Sequence, residues 1–299
     1  MNNKYPAISI IAPVYNDEKY IRVLLKSLME QDYPRDQVEI IIVDNGSQDG
    51  SREIVKEYRA TLLVEDKIQS SYAARNQGID RARHDILAFI DSDCKANSQW
   101  LKEGVKALEP ESVDLAGGKV EFIFSSRKTA GEYCDSLRHF NFEKTIKEQK
   151  ATGAGNLFVK SYVFAKVGKF SDQVKSGGDF QWTRQAVESG FNLVFADKAV
   201  VYHPTRTAWV LTQKSLRVGI GMIPVWLKRK RTITGMIKSV GRLFLPPSVR
   251  SIEEEISENG TPDMLNKKRR MWWVTYLCNA ATGLGGILGL IKAIFRRTH

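Results

Sequence analysis

An apolar run that ends in two carboxylates constrains this chain most. Residues 86–93 read Ile-Leu-Ala-Phe-Ile-Asp-Ser-Asp, so a segment with the composition of a buried strand places Asp91 and Asp93 at its end. Hard divalent cations such as magnesium and manganese take oxygen ligands and are often shared between carboxylates and substrate phosphates. The run therefore predicts a site for a divalent cation and a diphosphate. A solvated turn is the alternative, because Asp and Ser are ordinary turn residues.

Strands and helices are predicted to alternate upstream of this run. Strands are predicted within 8–16, 38–47 and 62–64, and helices over 21–28, 49–58 and 71–82. The alternation indicates an α/β fold with a Rossmann-like, mostly parallel, doubly wound sheet flanked by helices. Ligands of such sheets bind outside the carboxyl ends of the strands. We therefore expect Asp44 and Asp91, which both follow apolar runs, to converge at one edge.

Four successive motifs resemble those of family 2 glycosyltransferases, in the family's order and at its spacing. They are Ser-Ile-Ile-Ala-Pro-Val-Tyr-Asn at 9–16, Ile-Val-Asp-Asn-Gly-Ser-Gln-Asp-Gly-Ser at 42–51, Ala-Arg-Asn-Gln-Gly at 74–78 and Phe-Ile-Asp-Ser-Asp at 89–93. The similarity continues through 155–159, 167–170, 177–179 and 201–204. The resemblance implies the GT-A fold, a nucleotide-sugar donor and an inverting, metal-assisted transfer.

On this resemblance, the first two strand ends hold the base and ribose of the donor. The matching residues are Pro13, Tyr15, Asn16 and Asp44. An Asp accepts a hydrogen bond from a base N–H, and a tyrosine offers stacking area. For Tyr15 the alternative is a packed surface aromatic.

The start of the predicted helix 71–82 and the end of the apolar run 86–93 are also expected to contact the donor. Arg75 and Asn76 match the family's Arg-Asn-x-Gly motif, and Asp91, Ser92 and Asp93 match its Asp-x-Asp motif. A guanidinium near the donor would pair with Asp91 or with a phosphate, and a purely structural ion pair is the alternative.

A Mn²⁺ or Mg²⁺ ion is expected at the same carboxylates. By resemblance Asp93 binds the ion and Asp91 bonds the ribose or the waters of the ion. His203 is the third candidate ligand, since the family often carries a histidine after the last strand of the domain. Such an ion would stabilise the negative charge that grows on the leaving diphosphate. A structural histidine before Pro204 is the alternative for His203.

Inversion by a single displacement requires a base for the acceptor hydroxyl. Asp179 matches the family's catalytic carboxylate at the start of a predicted helix, where a simple N-cap is the alternative. The family more often has Glu-Asp where this chain has Gly178-Asp179. By resemblance Gly155, Asn156, Gly178 and Trp182 are expected to contact the acceptor.

A processive polysaccharide synthase is a less favoured interpretation. The segment from Gln181 to Arg184 partly matches the Gln-x-x-Arg-Trp motif of such enzymes, but Gln185 replaces the tryptophan. We therefore expect a single addition of sugar. The loosely patterned segment 122–150 and residues 152–156 are expected to face the acceptor.

All of the basic excess lies in the C-terminal third. The net charge is +11; residues 205–299 contain 17 Lys and Arg against 5 Asp and Glu, and residues 1–204 contain 28 against 29. We therefore divide the chain into a catalytic domain of residues 1–204 and a helical, membrane-associating region of residues 205–299.

Two basic amphipathic helices are predicted in this region, over 209–227 and 233–244, and Lys-Arg-Lys-Arg at 228–231 follows the first. Such helices are typical of an anionic membrane surface, and packing against the catalytic domain is the alternative. The acidic stretch 253–263 is interpreted as a linker.

An uncharged run of 21 residues, Met271 to Ile291, lies between Lys-Lys-Arg-Arg at 267–270 and the basic residues Lys292, Arg296 and Arg297. It is long enough to span a bilayer, and lying in the interface or packing as a soluble helix are the alternatives. Gly285 and Gly289 form Gly-x-x-x-Gly, which indicates either a helix contact or flexibility.

The remaining features favour an enzyme at the cytosolic face of the membrane. The first apolar stretch contains Pro13 and shows neither a basic leader nor a small-residue cleavage site, so we expect no signal peptide. Three scattered cysteines predict neither disulfides nor a zinc site. The loop after the first strand lacks the Gly-x-Gly-x-x-Gly of dinucleotide-dependent oxidoreductases. The tryptophans of the tail suit lipid better than nucleic acid. A catalytically inactive membrane scaffold is a further alternative, disfavoured because Asp44, Asp91, Asp93 and Asp179 occur together.

Overall fold

The structure is a computed structural model that describes residues 5–139, 141–172, 174, 176–228 and 232–295. Among these residues, eight strands form one sheet: β1 (Ile8–Val14), β2 (Val38–Asp44), β3 (Thr61–Val64), β4 (Ile86–Ile90), β5 (Lys95–Ala96), β6 (Leu115–Ile123), β7 (Asn156–Lys160) and β8 (Leu193–Pro204).

The described helices, in chain order, are α1 (Glu18–Met29), α2 (Ser51–Lys56), α3 (Ser71–Arg81), α4 (Trp100–Ala107), α5 (Ala130–Arg138), α6 (Phe142–Gln149), α7 (Tyr162–Val167), α8 (Gly178–Glu188), α9 (Ala208–Lys228), α10 (Ile233–Arg242), α11 (Val249–Asn259), α12 (Pro262–Leu265) and α13 (Lys268–Phe295). A short 3₁₀ helix, Arg35–Gln37, precedes β2.

The sheet has the order β3-β2-β1-β4-β7-β6-β8-β5 and is mixed. Strand β1 pairs in parallel with β2 and β4, and β2 pairs in parallel with β3. The pairs β4–β7, β6–β7 and β5–β8 are antiparallel. The predicted α/β fold is confirmed, and its parallel part consists of β3, β2, β1 and β4.

Apolar composition explains why β1 is buried inside the sheet, between β2 and β4. Every residue of β1 is buried, as expected for a parallel strand that is covered by helices on both faces. Helix α1 contributes Ile21, Leu24, Leu25 and Leu28, which recur at helical spacing and are buried in the same core cluster.

The chain folds into two compact units. Among the described residues, the first unit comprises 5–122, 141–172 and 178–204, and the second comprises 123–139, 174, 176–177, 205–228 and 232–295. One division thus falls between residues 204 and 205, where the excess of basic residues begins. The segment 123–139, which contains α5, belongs to the second unit.

The second unit has its own apolar core, and this core corrects one expectation. The acidic stretch 253–263 is not a linker, because residues 253–259 belong to α11 and residues 262–263 begin α12. Ile252 and Ile256, four residues apart on α11, are buried together with Met264 in a cluster with α5, α9 and α13. The acidic residues lie beside this apolar face, where Glu255 pairs with Arg138 at 2.7 Å.

Helices α9 and α13 approach each other through glycines. A Cβ atom added to Gly219 would lie 2.1 Å from the carbonyl oxygen of Thr282, and one added to Gly285 would lie 2.1 Å from that of Leu216. A Cβ atom on Gly289 would lie 2.8 Å from the Ile223 side chain. Of the two interpretations of the Gly-x-x-x-Gly, the structure therefore supports the helix contact.

Several sequence features lie outside the described residues. They are Phe140, Arg229, Lys230, Arg231, the Lys228 side chain, Arg296 and Arg297.

Candidate active site

The ends of three parallel strands bring the predicted donor residues to one edge of the sheet. Val14, the last residue of β1, pairs with Asp44 at the end of β2, and Asp91 directly follows β4. Asn156, which begins the antiparallel strand β7, pairs with Ile90. The loop before β7 therefore reaches the same edge.

Asp44 is fully buried and uses only one of its two carboxylate oxygens. Its Oδ2 accepts hydrogen bonds from the backbone N–H groups of Gly46 and Ser47, each at 3.1 Å, and from Arg52 Nε at 2.6 Å. Its Oδ1 is buried and has no hydrogen-bond partner among the described residues. An unpaired buried acceptor is costly, so this oxygen is suited to receive an N–H from a ligand.

The loops after β1 and β2 are joined by hydrogen bonds. The Asn16 N–H donates to Ser47 Oγ at 2.9 Å, and Asn16 Oδ1 accepts from the Gln48 N–H at 2.8 Å. Asn16 has φ +49°, a left-handed conformation that Asn tolerates better than most residues. Next to it Tyr15 is 49% exposed, which leaves its ring face available, whereas Pro13 is buried within β1.

Arg75 and Asp91 form an ion pair at the end of β4. Arg75 is buried on α3, and its Nη2 lies 2.5 Å from Asp91 Oδ1. Its Nε is also buried and has no partner among the described residues. Burial raises the pKa of the Asp91 carboxyl; the Arg75 guanidinium opposes this effect and the Asp93 carboxylate adds to it.

The His203 side chain lies beside Asp93, and each of its two ring nitrogens is close to an oxygen atom. His203 is fully buried; its Nδ1 lies 2.6 Å from the Pro204 carbonyl oxygen, and its Nε2 lies 3.1 Å from Asp93 Oδ2. A neutral imidazole has only one N–H. If Nδ1 donates to the carbonyl, the contact at Nε2 requires a second ring proton or a cation between the imidazole and the carboxylate.

This chemistry fits a divalent cation. The described residues contain no preformed group of three or more His, Cys, Asp or Glu side chains that could hold a metal ion. Magnesium and manganese, however, commonly use one or two protein ligands and complete their shells with water and substrate phosphates. Asp93 and His203 supply such a pair.

Asp17 belongs to this region and was not predicted from the sequence. It is half-buried and hydrogen-bonds to Ser92. Burial raises the pKa of Asp17 to about 6, against the lowering effect of the Ser92 hydrogen bond and with a further rise from the Asp93 carboxylate. Asp17, Asp91 and Asp93 therefore bring three carboxyl groups close to one another, an arrangement that favours cation binding.

Asp179 lies in the first turn of α8 and accepts three hydrogen bonds. The donors are the Tyr72 hydroxyl at 3.0 Å, the Ala154 N–H at 2.9 Å and the Phe180 N–H at 3.0 Å. The Tyr72 hydroxyl also accepts from the Gly178 N–H at 2.9 Å. Burial, reinforced by Asp179, raises the pKa of Tyr72, so the phenol remains a donor.

Tyr72 lies just before the 74–78 motif on α3, and its hydrogen bond to Asp179 was not predicted from the sequence. Tyr72 lies three residues before Arg75, so both side chains occupy one face of α3. The Arg75 guanidinium lies 5.9 Å from the centre of the Tyr72 ring. One helix face therefore contacts both Asp91 and Asp179.

Other predicted site residues have structural partners. Both polar atoms of the Asn76 side chain bond to the backbone of Phe170. Asn156 is fully buried and bonds to Trp100 Nε1 and to the carbonyl oxygens of Lys119 and Ala199. These contacts leave the two side chains little capacity to bind a substrate.

Trp182 is also engaged in packing. It is 3% exposed, stacks on Phe164 with ring centroids 4.2 Å apart, and donates from Nε1 to the Gly168 carbonyl oxygen at 2.7 Å. Gly155 and Gly178 are buried next to Ala154 and Asp179, which are joined by a hydrogen bond. The acceptor roles of these residues remain predictions.

Comparison with known proteins agrees with this geometry. The family profile described as "Glycosyl transferase family 2" matches residues 9–165. The glycosyltransferase AglE of Haloferax volcanii is 34% identical over 301 residues, which cover 98% of this chain and 99% of AglE. The poly(ribitol-phosphate) β-N-acetylglucosaminyltransferase TarS of Staphylococcus aureus is 34% identical over 112 residues, 36% of this chain and 20% of TarS.

Solved structures show the same fold at low sequence identity. The mannosyltransferase PcManGT from Pyrobaculum calidifontis, in complex with GDP-Man and Mn²⁺, aligns with a TM-score of 0.66 and 18% identity over 96% of this chain and 88% of that one. Residues 1–349 of S. aureus TarS, in complex with UDP-GlcNAc, align with a TM-score of 0.55 and 19% identity over 93% and 90%.

The family profile covers more than half of the chain, and AglE matches nearly all of it. The chain therefore belongs to glycosyl transferase family 2 and is a glycosyltransferase with the GT-A fold.

Proposed function

We propose that the protein is an inverting, metal-assisted glycosyltransferase that moves one sugar from a nucleotide-sugar donor to an acceptor hydroxyl. The observation that carries this proposal is the arrangement on α3, from which Arg75 contacts Asp91 and Tyr72 contacts Asp179. One rigid element thereby ties a diphosphate-and-metal region to a carboxylate that can act as a base.

The unpaired Oδ1 of Asp44 supports a donor whose base carries a ring N–H. Uracil and guanine both present an N–H beside a carbonyl oxygen, and Arg52, which holds the other Asp44 oxygen, is a nearby donor for such a carbonyl. We favour a UDP-sugar. The structures of PcManGT and TarS are complexes with GDP-Man and UDP-GlcNAc, which contain these two bases.

The departing nucleoside diphosphate gains negative charge as the glycosidic bond to it breaks. A divalent cation held by Asp93 and His203 would neutralise this charge. Arg75 adds a fixed positive charge, and its unpaired Nε is available to a phosphate oxygen. These groups are positioned before the reaction, which is the arrangement that electrostatic stabilisation requires.

Asp179 is the proposed base. Its carboxylate is oriented by three donors, so it need not reorganise when the acceptor hydroxyl arrives. Removal of the hydroxyl proton on the face opposite the leaving group gives inversion in a single step.

We further propose that the acceptor is a lipid-linked glycan or another cell-envelope precursor at the cytosolic face of a membrane. The support is the second unit, which combines 17 Lys and Arg against 5 Asp and Glu in 205–299 with large exposed apolar side chains on α9, α10 and α13. Such a surface keeps an enzyme close to a membrane-bound acceptor.

A thermal-shift screen tests the donor half of the proposal. Purified protein is heated with UDP, GDP, ADP or CDP, each with and without Mn²⁺, because a ligand that binds the folded state raises the melting temperature. We expect UDP with Mn²⁺ to give the largest shift and ADP little or none. An equal response to all four nucleotides, or no dependence on Mn²⁺, would contradict the assigned roles of Asp44 and Asp93.

A further inference from the structure

The surface of α13 has an unusual composition. Between Met271 and Ile291, every exposed side chain of this helix is apolar. The exposed residues are Trp273, Leu277, Leu284, Ile287, Leu288 and Ile291. At 1.5 Å per residue the row from Trp273 to Ile291 is about 27 Å long, and a contiguous apolar patch of that size on a protein surface marks an interaction site.

Basic residues enclose this row at both ends. Arg269 and Arg270 are exposed at its N-terminal end, and Lys292 is exposed at its C-terminal end. An apolar stripe with flanking cations is complementary to an anionic lipid surface, where acyl chains meet negatively charged headgroups. A tryptophan at the edge of the stripe also suits this boundary.

The length of α13 raises a second possibility, a transmembrane span. Among the described residues, Lys268–Ala293 is the one helical segment that is long and apolar enough to cross a bilayer by length and composition. The side of the helix opposite the stripe argues against that arrangement, because it is packed against charged elements of its own unit.

The contacts of α10 carry this argument. Val240 of α10 lies against Gly286, and Phe244, two residues after α10, lies against Gly283; both glycines are inside the uncharged run. The exposed side chains of Lys238 and Arg242 flank Val240 on the same short helix. If α13 crossed a bilayer in this packing, these two cations would lie beside the hydrocarbon region, where charged side chains are unfavourable.

The contacts of the N-terminal part of α13 also argue against a transmembrane span. Thr275, four residues into the uncharged run, accepts a hydrogen bond from Arg138 Nη1 at 2.6 Å, and Arg138 is paired with Glu255. Trp272 Nε1 donates to the Pro247 carbonyl oxygen at 2.7 Å. A span would carry this ion pair into the bilayer or break the packing of the unit.

We infer that α13 lies in the plane of the membrane interface, with the Trp273–Ile291 stripe among the acyl chains of an anionic leaflet and both helix ends on the same side. This inference deepens the proposed location of the enzyme and rests on it. It assigns the membrane contact to one helix face rather than to a span.

Flotation with vesicles tests the contact. Full-length protein is mixed with vesicles of phosphatidylcholine alone or with 30% phosphatidylglycerol, and the bound fraction is measured. Leu284→Glu places a charge on the stripe, and Val23→Glu places the same charge at an apolar residue of α1 with similar exposure, 45% against 50%. We expect Leu284→Glu to weaken binding to the anionic vesicles at least tenfold and Val23→Glu to leave it unchanged.

Labelling from outside the vesicles tests the orientation. Arg269→Cys and Lys292→Cys variants, bound to intact anionic vesicles, are treated with a membrane-impermeant maleimide before and after detergent, and the parent protein gives the background from its three own cysteines. Full labelling of both positions before detergent is expected. Protection of either position until detergent is added would indicate a span and overturn the inference.

Two other results would also overturn it. In the first, the parent protein does not float with the anionic vesicles. In the second, Leu284→Glu converts a dimer to a monomer and leaves vesicle binding unchanged, which would assign the stripe to a second copy of the chain. Nucleotide-dependent thermal shifts are measured without vesicles, so failure of the membrane inference and failure of the proposed donor chemistry are distinguishable.

Discussion

The Tyr72 hydroxyl donates a hydrogen bond to Asp179 Oδ1 at 3.0 Å and accepts one from the Gly178 N–H, so a buried phenol fixes the start of α8. Tyr72 shares its helix face with Arg75, whose partner is Asp91. The proposed base and the proposed diphosphate region are therefore positioned by one helix.

Replacement of Tyr72 by Phe should slow transfer without weakening donor binding. The ring packing against Phe170 is retained, and one hydrogen bond to the Asp179 carboxylate is lost. A bond to a charged group contributes about 1.5–3 kcal/mol, so we expect kcat to fall roughly tenfold to a hundredfold. Donor KM and the nucleotide-induced thermal shift should be unchanged. A rise in donor KM with unchanged kcat would place Tyr72 in the donor site instead.

Asp179→Asn should abolish most of the transfer activity. The variant retains the size of the side chain but cannot accept a proton, and loss of general-base help typically costs about 10²- to 10⁴-fold in rate. Thermal shifts with UDP and Mn²⁺ should match those of the parent. An equal loss of donor affinity would mean that Asp179 serves mainly as a structural cap of α8.

Asp93→Asn should remove the Mn²⁺ dependence of nucleotide binding. The change deletes a charged oxygen ligand opposite His203 Nε2 while nearly preserving shape. Asp32→Asn is a matched control, since Asp32 is a surface carboxylate with a 59% exposed side chain. Titration calorimetry with UDP, with and without Mn²⁺, measures the effect. Metal-dependent binding by Asp93→Asn equal to that of the parent would contradict the ligand assignment.

The strand ends were predictable from the sequence because their signal is local. Continuous apolar runs identify buried strands, and a carboxylate directly after such a run must lie at the edge of the sheet, as Asp44 and Asp91 do. Helix α3 was also predicted nearly to its observed bounds, from Ser71 to Arg81.

The partners of these residues were not predictable, because they come from distant segments. The sequence contains no sign that Tyr72 meets Asp179, 107 residues away, or that the Asn156 side chain is fully occupied by Trp100 and two backbone carbonyls. The acidic composition of 253–263 hid the buried pair Ile252 and Ile256, whose spacing of four is helical. Composition alone therefore led to the wrong linker assignment.

Neutralising the basic cluster of residues 228–231 to Gln should weaken membrane binding. At about 1 kcal/mol per basic residue near an anionic surface, four substitutions are expected to cost a few kcal/mol of binding free energy. Vesicle binding measured over a salt series should become less dependent on salt. The control neutralises four exposed lysines of the first unit: Lys106, Lys147, Lys166 and Lys198. Equal losses in both variants would show a nonspecific charge effect.

Glu132 gives a pH-dependent test of the second unit. Its carboxylate is buried and accepts hydrogen bonds from the Ser125 and Thr129 N–H groups, at 2.7 and 2.6 Å, and from the Thr205 hydroxyl at 2.9 Å. Burial raises the pKa of Glu132, but the hydrogen bonds from Ser125 and Thr129 outweigh this effect and lower the pKa from an ordinary 4.5 to about 2.

The stability that this carboxylate contributes should therefore be complete above pH 4.5 and be lost as the pH falls from 4.5 towards 2. Glu132→Gln should lower the free energy of unfolding at pH 7 by about 2 kcal/mol, because the amide presents an N–H₂ to donors that faced an oxygen. Urea denaturation at several pH values measures the difference, with Glu148→Gln on the exposed face of α6 as the control. The difference in the free energy of unfolding between the parent and Glu132→Gln should become smaller as the pH falls from 4.5 towards 2. A difference that does not change with pH would mean that lost packing, rather than lost charge, destabilises the variant.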